Sequence, residues 1–258
     1  VLELICSSAE DCVRAEQGGA DRIELCAALE LGGLTPSAGT LEQALRRTRL
    51  PIIAMVRPRT GGFSYTESEF EAMKIDVRRF RDMGAQGVVF GVLTKGRQVD
   101  VARTRELVEQ AASIETVFHR AFDAVMNPFE ALEALIQLKI TRVLTSGQSP
   151  SAIEGAALIK QLLNQAAGRI ELLPGGGLRA ENLASFLVAT CVSQVHMSAF
   201  ETLPDPSMQG TPIEFNGRAV SEMSYRAVSD TLVSQAARKL LEAGGNDARH
   251  DVALRDQK

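Results

Sequence analysis

The residues able to do chemistry cluster at the ends of short apolar runs. Cys6 closes the run from Leu2, and Cys26 closes the run from Arg22. If those runs are adjacent parallel strands, their ends lie at comparable heights and the two sulfurs come close. Two thiolates suit a soft ion such as Cu(I). Glu3 and Cys6 are three residues apart and cannot both face inward from a regular strand. Cys6 is taken as the inward one because it is nearer the functional end. The competing reading is two buried thiols that bind nothing, since buried cysteine is common and no Cys-x-x-Cys spacing is present. Cys12 and Cys191 fall in helical or loop contexts and read as packing residues.

The stretch Thr116–Asp123 reads as a strand, and alternation then places His119 and Asp123 on one face and Arg120 on the other. A histidine with a carboxylate is a base with its partner; the alternative is a hydrogen-bonded core histidine. Glu24 shares a face with Cys26. Arg57 and Arg59 flank Pro58, and guanidinium forks suit carboxylate or phosphate. An internal ion pair between Arg57 and Glu24 is the other use for Arg57. Gly175, Gly176 and Gly177, with Ser198, could hold an anion through backbone N–H groups, because glycine lets the backbone approach closely. The other reading of the glycines is a tight turn. Thr94, Ser146 and His196 also stand near strand ends, His196 with the weakest signal of the histidines there. His250 lies in a polar tail and is given no role.

These residues need a frame. Strand-like runs at Leu2–Cys6, Arg22–Cys26, Pro51–Arg57, Gly87–Leu93, Thr116–Asp123, Arg142–Thr145, Arg169–Leu173 and Gln194–Ser198 make eight. Each is followed by an amphipathic segment, at Ser8–Gln17, Thr40–Arg47, Glu67–Met83, Val101–Ala112, Pro128–Leu138, Ser151–Ala166, Ala180–Val188 and, after a loop over Leu203–Arg218, Ser221–Ala243. Alternating strands and helices pair in parallel through right-handed crossovers. Eight units in 258 residues match a TIM (β/α)8 barrel, whose site lies at the C-terminal ends of the strands. An open doubly wound sheet is disfavoured, because no Gly-x-Gly-x-x-Gly turn follows the first strand. One domain over residues 1–243 and a polar, flexible tail over 244–258 are expected.

Apolar residues make up 45% and charged residues 23%, with a net charge of −4, the balance of a globular chain without a nucleic-acid surface. No run is long and apolar enough to cross a bilayer, so no membrane partner is expected. Four cysteines in 258 residues are too few for a disulfide scaffold and agree with a cytoplasmic location. The sequence begins at Val1 rather than Met, which leaves room for an upstream segment.

Six strings together closely resemble the CutC family, the copper homeostasis proteins. They are Gly-Gly-Ala-Asp-Arg-Ile-Glu-Leu-Cys (18–26), Gly-Gly-Leu-Thr-Pro-Ser (32–37), Arg-Pro-Arg (57–59), His-Arg-Ala-Phe-Asp (119–123), Arg-Val-Leu-Thr-Ser-Gly (142–147) and Pro-Gly-Gly-Gly (174–177). The likeness covers about residues 2–240 and departs from the family pattern at Thr60 and over Thr211–Gly217. It implies a TIM-like barrel, a cytoplasmic homodimer or homotetramer, and a role in copper handling, with Cu(I) on Cys6 and Cys26.

Two functions follow. One is copper homeostasis through a Cu(I) site on Cys6 and Cys26. The other is a barrel enzyme, a lyase or isomerase, acting on a small anionic or phosphorylated substrate. There Glu24, Arg57, His119 and Asp123 do the chemistry while Gly175–Gly177 and Ser198 hold the anion. A structural scaffold fits least well with so many polar groups at one end of the barrel.

Overall fold

Side-chain caps set where several helices begin. Ser8 accepts from the Asp11 N–H at 3.0 Å and starts α1, Ala9–Gln17. Thr66 and Glu69 form a reciprocal capping box at the start of α3, Glu67–Met83, and Gly84 ends that helix at φ 97°. Such caps satisfy N–H groups that the helix itself leaves unpaired. The computed structural model of the chain describes residues 1–210 and 223–255, with side chains up to residue 243.

The strands are β1 (Leu2–Cys6), β2 (Arg22–Leu25), β3 (Ile52–Met55), β4 (Gly87–Phe90), β5 (Glu115–Phe118), β6 (Arg142–Thr145), β7 (Glu171–Pro174) and β8 (Val195–Met197). Besides α1 and α3, the helices are α2 (Ala38–Arg47), α4 (Val101–Ala111), α5 (Pro128–Gln137), α6 (Ala156–Ala166), α7 (Ala180–Thr190) and α8 (Asp230–Arg255). Neighbouring strands pair in parallel from β8 through β1 to β7. A bridge between Gly175, just past β7, and His196 on β8 closes the ring. The architecture is the TIM-like barrel expected from the alternation.

Several expected boundaries move. The fifth strand stops at Phe118, and Arg120–Ala124 form a 3-10 turn. Ser151–Gly155 precede α6 as a turn. The expected helix from Ser221 starts at Asp230 instead. Phe200–Pro204 (β9) and Ser224–Val228 (β10) pair as an antiparallel ribbon after the barrel, so the expected loop from Leu203 begins inside a strand. Backbone pairing overrides helix propensity there. Asp11 ties the ribbon to the barrel by accepting from the Val228 N–H at 2.8 Å. The expected departure over Thr211–Gly217 lies outside the described residues.

Residues paired across a parallel ladder share a face, so register decides what fills the barrel. Glu3 pairs with both Arg22 and His196, and Ile5 pairs with Glu24, which pairs with Ile53. These side chains face the interior with Cys26, Met55, Val89, Val117, Leu144 and Leu173. The opposite faces pack outward against the helices, where Phe70, Phe80, Phe90, Phe118 and Phe122 are fully buried.

The deep end of the interior is charged. Arg22 pairs with Glu3 through Nε and donates from Nη2 to Gln194 at 2.9 Å. Gln194 donates to Glu171 at 3.0 Å, and Arg142 bridges Glu171 at 2.8 Å and Glu115 at 3.0 Å. Removing one member of a buried pair strands its partner in a poorly solvating interior. Arg22→Ala is therefore expected to lower unfolding stability by about 3–5 kcal/mol, measured by urea denaturation. Arg22→Met combined with Glu3→Gln should recover most of that loss.

Candidate functional site

A cavity of about 380 Å³ opens at the C-terminal ends of the strands. Glu24, Arg57, His119, Arg120, Gly176, Gly177, His196 and Ser198 line it, among apolar walls that include Ile5, Met55, Phe63 and Leu144. Most of the residues singled out by the sequence converge here, but several play a different part.

Cys6 does not reach the cavity. It pairs in register with Leu25, so those two share the outward face, while Cys26 follows Leu25 onto the inner one. The expectation that Cys6 points inward is overturned: the ladder seats Glu3 and Ile5 inside and turns Cys6 toward Cys12 and the helices. Burial pushes the thiols of both Cys6 and Cys26 well above the usual cysteine range, which keeps them protonated. The two thiols named by the family resemblance thus lie on opposite faces of one sheet.

Asp123 is not the partner of His119. Because the strand ends at Phe118, alternation does not extend to it. Its carboxylate instead accepts from the Thr145 hydroxyl, the Ser146 N–H and hydroxyl, the Gln148 N–H and Arg120 Nε. Asp123 braces the loop after β6.

His119 is only 4% exposed. Its Nδ1 accepts from the Ala121 N–H at 3.1 Å, which places the ring proton on Nε2. No partner meets Nε2 among the described residues. Burial, helped by the Arg57 charge, lowers its pKa to about 3. The imidazole is thus neutral in a residue that lines the cavity, with its Nε2–H unpartnered among the described residues. Gly91 makes room for it: a Cβ there would stand 2.5 Å from the imidazole.

Arg57 does not pair with Glu24. Its Nη1 donates to the carbonyls of Leu31, Gly32 and Gly33 at 3.3, 3.1 and 2.9 Å, and Nη2 to Gly61 at 3.1 Å. Positive φ at Gly32 and Gly33, 87° and 81°, marks the tight turn it gathers. Arg57 is a clip for the rim loops that also sets a positive potential in the cavity. Arg59 lies outside, paired with Glu69 at 2.6 Å.

The glycines divide. Gly175 donates to Thr145 and bridges His196. The N–H groups of Gly176 and Gly177 and the Ser198 hydroxyl have no partner among the described residues. Arg120, which strand alternation had turned away, is brought beside them. Its Nε and Nη2 engage Asp123 and Ser146, and its Nη1 is left free, near enough that a Cβ on Gly176 would lie 3.3 Å away.

Sequence reasoning set Glu3 aside in favour of Cys6, turned Arg120 to the opposite face and did not single out Arg22. Strand pairing, which assigns the faces, was the signal for Glu3 and Arg22. The Glu3 carboxylate bonds His196 Nδ1 at 2.8 Å. Burial opposes charge on both, but the ion pair wins: Glu3 is held low by His196 and Arg22, and His196 is raised by Glu24 and Glu3. Glu24 is 2% exposed, and burial, reinforced by the Glu3 charge, pushes its carboxyl up to about 7.

A family model described as the CutC family matches residues 1–201. The chain belongs to the CutC family. A Treponema denticola family protein CutC is 47% identical over 85% of this chain and 89% of its own length. The human copper homeostasis protein cutC homolog is 45% identical over 78% of this chain and 74% of its own. The crystal structure of the putative copper homeostasis protein CutC from Streptococcus agalactiae superposes with a TM-score of 0.73 at 32% identity, covering 76% of this chain and 97% of that one. Phosphoribosylanthranilate isomerase from Pyrococcus furiosus, at 14% identity and a TM-score of 0.54, shares the fold alone.

A neutral buried His119 has a sign consequence. Below an unfolded-state pKa near 6.5 the unfolded chain takes a proton that the folded chain refuses. The stability that this group contributes is therefore full above that pH and falls as pH drops toward 3. Between about pH 7 and about pH 4.5, wild type should lose roughly 2 kcal/mol more than His119→Gln, read as the difference in urea midpoints.

Proposed function

We propose that this CutC-family protein takes part in copper homeostasis, the role named for its human and mouse relatives, and that its working site is the barrel-mouth cavity binding a small anionic ligand. The observation that carries this reading is the set of unclaimed donors in one cavity: the N–H groups of Gly176 and Gly177, the Ser198 hydroxyl, Arg120 Nη1 and His119 Nε2. Of these, His119 Nε2 is buried, and a buried donor without an acceptor costs of order 1–3 kcal/mol; Gly177, Ser198 and Arg120 are exposed at the mouth, open to a ligand. Such a set is matched by a ligand rich in oxygen, with phosphate or carboxylate on the glycine and arginine side. His119 Nε2–H would polarise a second oxygen of the same ligand, which suits lyase or isomerase chemistry.

Copper held by Cys6 and Cys26 has no comparable support, since the thiols lie on opposite faces of the sheet. Among the described residues no cysteine lines the cavity. A contribution to copper handling then runs through the anionic ligand and not through a dithiolate. A cytoplasmic location and a homodimer or homotetramer remain part of this reading. Among the described residues no helix is long and apolar enough to cross a membrane.

The test is a thermal-shift screen of phosphorylated sugars and small carboxylates against purified protein. A hit should stabilise wild type and Cys26→Ser equally. Arg120→Ala should weaken the hit by about tenfold or more, as loss of a charge-assisted bond of about 1.5–3 kcal/mol requires. Tight Cu(I) binding lost in both Cys6→Ser and Cys26→Ser, with no anion hit, would overturn the proposal.

A further inference from the structure

Deeper in the same cavity lies a donor set that the anion reading does not use. One carboxylate oxygen each from Glu3 and Glu24 and one ring nitrogen of His196 lie within 4.8 Å of one another. They come from three strands, β1, β2 and β8, which the register holds side by side. Glu3 Oε1 and His196 Nδ1 are already 2.8 Å apart. That is close to the separation of two donors at right angles on one ion with bonds of about 2.0–2.2 Å.

Glu24 supplies the second observation. It is 98% buried, from its 2% exposure, it faces the cavity, and no hydrogen-bond donor reaches its carboxylate among the described residues. Glu3, by contrast, has Arg22 and His196. A buried carboxylate left without a partner is a standing cost. With the His196 proton displaced, two ionised carboxylates against the single guanidinium of Arg22 leave one negative charge for a cation to neutralise.

We infer that Glu3, Glu24 and His196 form a binding site for a divalent transition-metal ion such as Zn²⁺ or Mn²⁺ on the floor of the cavity. Two carboxylates and an imidazole are hard to borderline donors, which select such ions over Cu(I). Binding displaces the proton that His196 Nδ1 shares with Glu3. Arg22, on the other Glu3 oxygen, orients that carboxylate from behind. The open side of the ion faces the cavity, where an oxygen of a bound ligand would complete the coordination.

The experiment uses the metal alone, so it stands or falls apart from the anion screen. Protein stripped with a chelator is titrated with Zn²⁺ by calorimetry and with Mn²⁺ by electron paramagnetic resonance. The expected result is one ion per chain, weakened about 100-fold or more in Glu24→Gln and in His196→Gln, and unchanged in Cys6→Ser and Cys26→Ser. Mn²⁺ spin-echo spectra should show one coupled imidazole nitrogen that vanishes in His196→Gln. Glu24→Gln preserves shape, and circular dichroism verifies its fold. No ion above the level bound by folded Glu24→Gln, or a Mn²⁺ signal without imidazole coupling, would overturn the inference.

Discussion

The molecule depends on the in-register parallel ladder that places Glu3 between Arg22 and His196. Paired residues in such a ladder share a face, so fixing one row fixes the next. Once Glu3 is inside, Ile5 and Glu24 are inside one row higher and Cys6 is outside. The interior must then accommodate charge, which an apolar barrel would exclude. The Arg22, Gln194, Glu171 and Arg142 links satisfy those groups in a chain around the deep end. Because each group spends its hydrogen-bonding capacity on the next, the deep end is committed to holding the ring together, and the open end is released for other work.

At the open end the polar residues sort by what they still lack. Asp123, Thr145 and the two Nη groups of Arg57 have their capacity consumed by backbone and neighbours. Glu24, His119 Nε2, Arg120 Nη1, Ser198 and the Gly176 and Gly177 N–H groups do not. Residue type alone does not make this distinction, since arginine and aspartate occur in both sets. Unspent hydrogen-bonding capacity inside a cavity, not polarity, is what marks the residues available to a ligand.

The barrel was legible in the sequence because eight apolar runs alternate with amphipathic segments, and that periodicity reflects burial directly. The cavity's membership was legible for Glu24, Arg57, His119, Ser198, Gly176 and Gly177, since strand ends converge in this fold. Orientation was less so. Cys6 was misplaced because a fully buried strand shows no polar alternation: Leu2–Cys6 is buried at every position, so only its neighbours reveal its faces. The His119–Asp123 pairing failed because a strand that gives way to a 3-10 turn at Arg120 breaks the alternation on which it rested. The ribbon of β9 and β10 was hidden since its pairing is between segments about twenty residues apart.

The Arg57 clip has a consequence for how the cavity receives anything. One guanidinium holds the carbonyls of residues 31–33 together with that of Gly61, so the loops after β2 and β3 behave as a single stiff lip. Its rest position is set before a ligand arrives. Ordering that lip upon association then requires little conformational entropy, and the free energy of each contact is realised as affinity instead of being spent on immobilising the rim. Selectivity at this mouth comes from shape already in place, with a fixed doorway rather than a closing one.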